Sequence, residues 1–332
     1  KKYRGALLYD LSAAYDVLPP DLFLEKAQLI GVQNVSLAWF TSYLSNRSQV
    51  VQVNQAISSP KFLKVGTPQG GSCSCLIFAL FVGDVQLWID GGLVIAYADD
   101  TMVLVEADTL PELREKLQIE GEKILRFFAS NKLVANPSKT GLLVFRPTKA
   151  ATQADDPLSI ELVGETITEE NKQKVLGIII RNDLKWSDQK AKVQSECNHR
   201  LSVLRRLRSH LNNRQLKTIA DGLIMSRLRY CLPVWGTELI RTSESDPICA
   251  IAHELQVIQN DTLRIITGKK RKDHEKISDM LASTNMLSIN QIAAYSTLME
   301  IWKARAFNVP HLSSLLAKSQ PRGDRTLRSE SA

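Results

Sequence analysis

Gly92-Leu93-Val94-Ile95-Ala96-Tyr97-Ala98-Asp99-Asp100-Thr101-Met102-Val103-Leu104-Val105 decides the fold. Two short apolar runs rich in β-branched residues flank a polar pair, which reads as strand, tight turn, strand. Asp is depleted in strands, so Asp99 and Asp100 belong at the hairpin tip. Alone, an Asp-Asp turn is a solvated acidic loop. A third acid changes the reading: Asp10 ends another apolar run, Gly5-Ala6-Leu7-Leu8-Tyr9. A hard divalent cation such as Mg²⁺ takes oxygen ligands, keeps several waters and uses one or two protein carboxylates beside substrate phosphates. Two such ions about 3.5–4 Å apart clamp the attacking and leaving oxygens of a phosphoryl transfer. Asp10, Asp99 and Asp100 suit that task.

Outward from the hairpin, the pattern alternates between helix and strand. Pro19-Pro20-Asp21 opens a helix to about residue 30, which Gly31 ends. A second helix is expected over 36–45. Residues 49–54 and 61–65 read as a paired β-ribbon. The loop Gly66-Thr67-Pro68-Gln69-Gly70-Gly71-Ser72 feeds a long apolar helix to about residue 89. A well-striped helix covers 110–131. Strands follow near 141–145, 158–162 and 175–180, with a polar loop over 149–157 between the first two. From Trp186 the pattern is helical, with a polar interval at 241–246 and a polar tail from about residue 319 that reads as disordered. The expected class is α+β: a mixed unit over 1–183, a helical unit over 184–318 and a tail over 319–332.

The 332 residues are 44% hydrophobic and 23% charged, values of an ordinary globular protein. No apolar run reaches the roughly 20 residues of a membrane span, so no membrane partner is expected. The chain begins without Met and opens on a strand, which reads as a segment of a longer protein. The formal net charge is +7, compatible with a polyanionic partner. Its distribution is more telling. Arg200, Arg205, Arg206, Arg208, Arg214 and Lys217 lie together with no acid among them, and Lys269-Lys270-Arg271-Lys272 forms a second cluster. Such runs are solvated helix faces or phosphate-backbone contacts; the second also has the composition of a nuclear import signal. Five scattered cysteines, Cys73, Cys75, Cys197, Cys231 and Cys249, argue against a disulfide framework or structural zinc. A reducing, intracellular location follows, with Cys73 and Cys75 read as small packing residues.

The ordered segments resemble the polymerase core of reverse transcriptases, specifically those of LINE-type (non-LTR) retrotransposons. Residues Leu7-Leu8-Tyr9-Asp10-Leu11-Ser12-Ala13-Ala14-Tyr15-Asp16 resemble the family's first palm motif, Gly66-Thr67-Pro68-Gln69-Gly70 its second and Tyr97-Ala98-Asp99-Asp100 its third. Leu133-Val134-Ala135-Asn136-Pro137-Ser138-Lys139-Thr140 is similar to the fourth. Val175-Leu176-Gly177-Ile178 with Leu184-Lys185-Trp186 is similar to the fifth, the primer grip. A further resemblance, Leu255-Gln256-Val257-Ile258-Gln259-Asn260 with Leu263-Arg264-Ile265-Ile266-Thr267-Gly268, is to a segment of these elements beyond the polymerase motifs. The likeness runs from about residue 5 to 305.

This resemblance implies a right-hand polymerase palm, an antiparallel sheet with packed helices, followed by a helical thumb and C-terminal region, with the fingers largely absent from the stretch. It implies RNA-directed DNA synthesis by a mobile-element protein. Two Mg²⁺ ions, or Mn²⁺, would sit on Asp10, Asp99 and Asp100. Tyr15 would be the steric gate against a 2′-hydroxyl. Gln69 and Gly70 would meet the incoming nucleotide. Lys139 would protonate or neutralise the leaving pyrophosphate, and Leu176 and Gly177 would position the primer end through backbone. Expected partners are an RNA template, a DNA primer and deoxynucleoside triphosphates, with upstream fingers and an endonuclease as further parts of the full-length protein, working in the nucleus. The chain departs from the family where Gly70-Gly71-Ser72-Cys73-Ser74-Cys75 replaces the usual Gly-Ser and Ser-Pro continuation, so an altered helix start is expected. The alternative reading is a truncated or non-catalytic nucleic-acid-binding remnant of such a polymerase. A two-metal nuclease is a third, in which Tyr15 and the 66–70 loop have no role.

Overall fold

The structure, a computed structural model, describes residues 2–136, 139–147, 156–240 and 250–309. Pro137 and Ser138 of the fourth motif, most of the polar loop at 149–157, Cys249, the interval 241–246 and the tail from residue 319 lie outside the described residues. Two compact units divide at Lys185 and Trp186.

The first unit is built on a four-stranded antiparallel sheet in the order β6-β7-β1-β8: β6 is Gly92–Tyr97, β7 Asp100–Ala107, β1 Tyr3–Asp10 and β8 Gly141–Phe145. Antiparallel pairing lets one face be covered and the other stay open. Alternation assigns the faces. Leu7, Tyr9, Val103, Val105 and Ala107 are buried and join one core with Leu113, Leu117, Ile124, Phe127 and Phe128 of α5, Leu110–Ser130. Thr109 caps that helix by accepting from the Glu112 N–H. Close approach of α5 depends on Gly5, where a Cβ would stand 2.6 Å from a Leu117 methyl. Leu8, Asp10, Ile95, Asp100 and Met102 occupy the opposite parity, on the face α5 does not cover.

Three short helices, α1 Ala14–Val17, α2 Pro20–Leu29 and α3 Asn34–Leu44, follow β1. The ribbon is more elaborate than a simple pair. Strand β2, Arg47–Gln49, pairs with β5, Lys61–Leu63, and a nested hairpin joins β3, Gln52–Val53, to β4, Ala56–Ile57. The expected long helix to residue 89 is shorter: α4 spans Ser74–Val82, Gly83 and Asp84 interrupt it, and one 3₁₀ turn, Val85–Trp88, continues the path. Gly lowers helix propensity, and Asp84 instead accepts from the half-buried Lys26 ammonium at 2.7 Å. Nor is 175–180 a single strand. It is the tip of a hairpin of β11, Lys172–Val175, and β12, Ile178–Arg181; β9, Ser159–Leu162, and β10, Glu165–Thr168, make another. The apolar run fitted one strand because the turn takes only two residues.

The second unit is helical. Ser187–Leu207 and Ala250–Thr267 are its longest helices with Ile289–Ala306. Asn213–Ala220, a π-turn at Asp221–Met225 and Ser226–Arg229 run on continuously. Buried Cys197, Leu201, Leu216, Ile224, Trp235, Leu255, Leu263 and Ile292 are among its core residues. The Gln256 and Gln259 pair serves packing. The Gln259 amide donates to the Leu287 carbonyl at 2.7 Å, and the Gln256 amide oxygen accepts from the Ile289 N–H at 3.3 Å. Among the described residues no helix is long and apolar enough to cross a membrane.

Candidate active site

Register fixes the acids. Asp10, the last residue of β1, faces Asp100, the first of β7, and Tyr97 of β6 faces Asp100 from the other side. Only Ala98 and Asp99 separate β6 from β7. Ala98 has φ 54°, the pattern of a two-residue turn whose first central residue is left-handed. Two carboxylates are thus directly opposite across a strand pair and a third is one residue away. Like charges so placed repel. The consequence appears at Asp100, whose carboxyl is raised by partial burial first and then by Asp99 and Asp10, with Lys174 pulling the other way.

Lys139 meets this cluster from the chain after α5. The Ser12 N–H donates to the Val134 carbonyl at 2.8 Å and the Asn136 N–H to the Asp10 carbonyl at 3.0 Å. This short pairing beyond β1 carries Lys139 to the site, where its ammonium donates to Asp10 Oδ2 at 2.8 Å.

The open sheet face and the β11–β12 hairpin line a cleft of about 570 Å³. Asp10, Asp100, Lys139, Lys174, Leu176 and Gly177 all border it. Leu176 and Gly177 have φ 46° and 84°. Both central turn positions are therefore left-handed, a conformation that suits Gly177 and strains Leu176 by about 1 kcal/mol or more. This strained Leu is half-exposed and borders the same cleft as Asp10 and Asp100.

Tyr15, Gln69 and Gly70 do not border this cleft. Tyr15 stacks on Phe78 of α4, with ring centroids 4.7 Å apart. Its phenol is raised by burial first, then by the neighbouring Cys75 thiol and by Asp99 and Tyr97. Tyr15 thus senses the Asp99 side of the hairpin tip. The second-motif loop is fastened to the first motif: the Gly66 N–H donates to the Leu18 carbonyl at 2.7 Å and the Thr67 N–H to the Tyr15 carbonyl at 2.8 Å. Gly66 has φ +86°, and a Cβ there would lie 2.7 Å from the Asp16 carbonyl oxygen, so only glycine permits this approach. The Gln69 side-chain amide donates to Asp16 Oδ1 at 2.7 Å. Both residues border a second groove, of about 1030 Å³, with Arg47, Lys64, Phe62 and Tyr43. No atom outside its neighbours would meet a Cβ at Gly70 within 4 Å.

Sequence reasoning missed Phe78, Cys75, Lys174 and the link from Asp16 to Gln69. Cys75 is exposed rather than packed, and its place beside Tyr15 had no signal beyond the departure at 71–75. The altered start of α4 has a physical form: the Ser74 hydroxyl donates to the Pro68 carbonyl, tying the helix to the loop. Among the described residues no three His, Cys, Asp or Glu side chains form a ready metal cage.

Residues 1–180 match the family model "Reverse transcriptase (RNA-dependent DNA polymerase)". The chain is 24% identical over 277 residues to the "Probable RNA-directed DNA polymerase from transposon BS" of Drosophila melanogaster, covering 80% of this chain and 29% of that protein. It is 25% identical over 281 residues to the "RNA-directed DNA polymerase from mobile element jockey" of Drosophila funebris, covering 81% and 29%. The chain therefore spans under a third of the length of these relatives. Among solved structures, apo telomerase from Candida tropicalis aligns over 88% of this chain and 47% of its own, at 14% identity and a TM-score of 0.41. With the family model covering more than half of the residues and the relatives drawn from mobile elements, this chain belongs to the reverse transcriptase family, among its LINE-type members.

Proposed function

We propose that this chain is the palm and thumb region of an RNA-directed DNA polymerase that extends a primer 3′-hydroxyl on an RNA template. The carrying observation is the pairing of Asp10 with Asp100, with Asp99 next to it, at the head of a cleft that also holds Leu176 and Gly177. In this reading residues 1–183 are the palm with the primer grip, and 184–318 the thumb and C-terminal region. The mobile-element polymerases among its relatives speak for catalysis over a non-catalytic remnant.

Divalent ions, two Mg²⁺ in this reading, fit the donor set. Asp10 and Asp100 offer hard oxygens to the same cleft, and the Asp100 carboxyl, raised first by partial burial and then by Asp99 and Asp10, is a group whose charged form a nearby cation favours. Such an ion needs only one or two protein carboxylates, with substrate phosphates and waters completing its shell, so the lack of a three-ligand cage is no obstacle. When bound, the ions supply activation of the primer hydroxyl and charge stabilisation at the α-phosphoryl group.

The other roles belong to the chain's own groups. Lys139 balances Asp10 and leaves one cation beside the departing pyrophosphate. Tyr15, backed by Phe78, is the wall that leaves no room for a 2′-hydroxyl. Asp16 fixes the Gln69 amide so that its remaining N–H and its carbonyl face the nucleotide. The Leu176–Gly177 turn holds the primer end. The deciding experiment is primer extension with an RNA template, deoxynucleotides and Mg²⁺, using wild type and Tyr15→Ala. Joined to its upstream fingers, the wild-type segment should extend with deoxynucleotides, and Tyr15→Ala in the same protein should raise ribonucleotide use by about tenfold or more. Unchanged sugar selectivity in an active Tyr15→Ala enzyme would remove the gate assignment.

A further inference from the structure

We infer that Arg47, on the β-ribbon, is a positioning residue for the nucleotide pocket. It acts through the peptide unit that joins the second-motif loop to Tyr15, and this role rests on those proposed above for Tyr15 and Gln69.

The linkage runs through one peptide plane. Arg47 begins β2 and faces Leu63 of β5, the strand that leads into the second-motif loop. Its guanidinium donates to the Gly66 carbonyl at 2.7 Å. The other end of that peptide unit is the Thr67 N–H, which donates to the Tyr15 carbonyl at 2.8 Å. A trans peptide unit is planar, and its C=O and N–H point in opposite directions. Arg47 and the Tyr15 backbone therefore grip one rigid plane from opposite sides. A cation on the carbonyl also polarises the unit and strengthens the bond made by its N–H.

The loop has few other ties. Pro68 has no N–H to give. The Thr67 hydroxyl is buried with no hydrogen-bond partner among the described residues. The Gly66 N–H and the Gln69 amide reach Leu18 and Asp16, both on the first-motif side, and the Ser74 hydroxyl reaches back to Pro68. Among these hydrogen bonds only that of Arg47 comes from the ribbon. The plainer explanation is that Arg47 merely satisfies a carbonyl beside a strand end. A neutral amide would do that. Arg47 is instead a half-buried cation that forms no ion pair among the described residues, and taking a charge out of water without a counter-ion is costly. It borders the same groove as Asp16, Thr67 and Gln69, which places it against the loop it holds.

Two measurements test this role. Amide hydrogen exchange of the whole chain, read by mass spectrometry, follows the segment holding Gly66 and Thr67. Arg47→Ala should speed exchange there by about tenfold or more, the size expected when a charged hydrogen bond is lost. Exchange in β1 and β7 should not change, and Arg47→Lys, which keeps a donor, should recover most of the protection. Unchanged exchange in Arg47→Ala would overturn the clamp, whether or not the protein extends a primer. Equal acceleration in β1 and β7 would reduce Arg47 to general stability and overturn it as well. The second measurement is primer extension by the chain joined to its upstream fingers. Arg47→Ala should raise KM for the deoxynucleotide by about tenfold, with kcat less affected, and should lower the preference for deoxynucleotides over ribonucleotides several-fold. Tyr15→Ala/Arg47→Ala should be no less selective than Tyr15→Ala alone. A lower kcat with KM and selectivity unchanged would leave Arg47 a structural residue and overturn the inference. Unchanged selectivity in Tyr15→Ala would remove the gate reading instead, and the exchange data would still decide the clamp.

Discussion

The cleft of the sheet unit and the patch of the helical unit are electrostatic opposites built on the same plan. At the cleft, Asp10 and Asp100 crowd together with Asp99 beside them at the hairpin tip, Lys139 bonds Asp10, and Lys174 acts on Asp100. In the patch, Arg205, Arg208, Arg264, Lys269 and Arg271 crowd together around Asp261. Each cluster of like charge is held by counter-ions from the chain itself, Lys139 and Lys174 at the acids, Asp261 and Glu275 at the cations, and keeps an excess. Folding gains nothing from such an excess, because unbalanced like charges raise the energy of the compact state. Neither excess is accounted for by folding, and at the acids it is the charge that the proposed divalent ions would meet. The two differ in what fixes them. Strand register sets the acids, with little freedom. The cations sit on long side chains near helix ends, and their positions depend on hydrogen bonds to Asp261 and Asn213.

The sharpest way to break this contrast is to neutralise one cluster and assay the property of the other. Asp10→Asn removes a carboxylate that the polymerase reading places on the reacting centre. Extension should fall by about a thousandfold, since an electrostatic contribution of several kcal/mol is lost. Binding of single-stranded RNA in the absence of divalent ions should keep its salt slope. A slope that changed in Asp10→Asn would mean that the cleft, rather than the basic residues of the helical unit, governs this binding.

The two regions were also unequally legible. The tip at Asp99 and Asp100 could be placed because two short apolar runs bracket a polar pair that suits a turn, and Asp10 stood out as the acid that ends another such run. Long-range partners were not visible in that way. Lys139 reaches Asp10 only through the pairing of residues 11–12 with 134–136, and no local pattern encodes it. Leu176 and Gly177 were read inside one strand, since a two-residue turn leaves the apolar run of 175–180 intact. In the helical unit, both basic runs were plain, but their meeting around Asp261 was not, because helix periodicity gives a face and not its neighbour. Cys75 failed for another reason: an apolar context suggested packing, whereas α4 turns it outward beside Tyr15.

Lys139 gives a gentler probe of the counter-ion idea. Its ammonium and Asp10 are 61% and 41% exposed, so the pair adds less than about 1 kcal/mol to stability. Lys139→Met should therefore leave the melting temperature nearly unchanged. It should, however, leave Asp10 without competition for an incoming cation. Half-activation of extension should shift to a several-fold lower Mg²⁺ concentration, with the rate at saturating Mg²⁺ falling less than tenfold. A hundredfold loss at saturating Mg²⁺ with no shift would instead mark Lys139 as the proton donor to pyrophosphate, an effect of the size general acids give.

The smallest expected effect compares what the two units bury rather than what they display. Tyr9 in the sheet unit has its phenol raised well above the ordinary range by burial. In the helical unit, burial pushes the Cys197 thiol up to about 11, with Glu196 adding to the shift and Arg200 and Arg227 opposing it. An acid whose folded pKa is raised binds its proton more tightly in the folded state. Its contribution is complete below the unfolded value, near 9 for the thiol, and is lost as pH rises towards the folded one. For Cys197 the loss should be roughly 1 kcal/mol at pH 10. Cys197→Ala removes this titration, although it leaves a small cavity that lowers stability at every pH. The informative quantity is the slope: between pH 8.5 and 10.5 the melting temperature of Cys197→Ala should fall a few degrees less than that of the wild type. Parallel slopes would mean that the thiol is not held protonated by the helical core. Tyr9→Phe should show the same flattening displaced to higher pH, because an unfolded phenol ionises about one unit above a thiol.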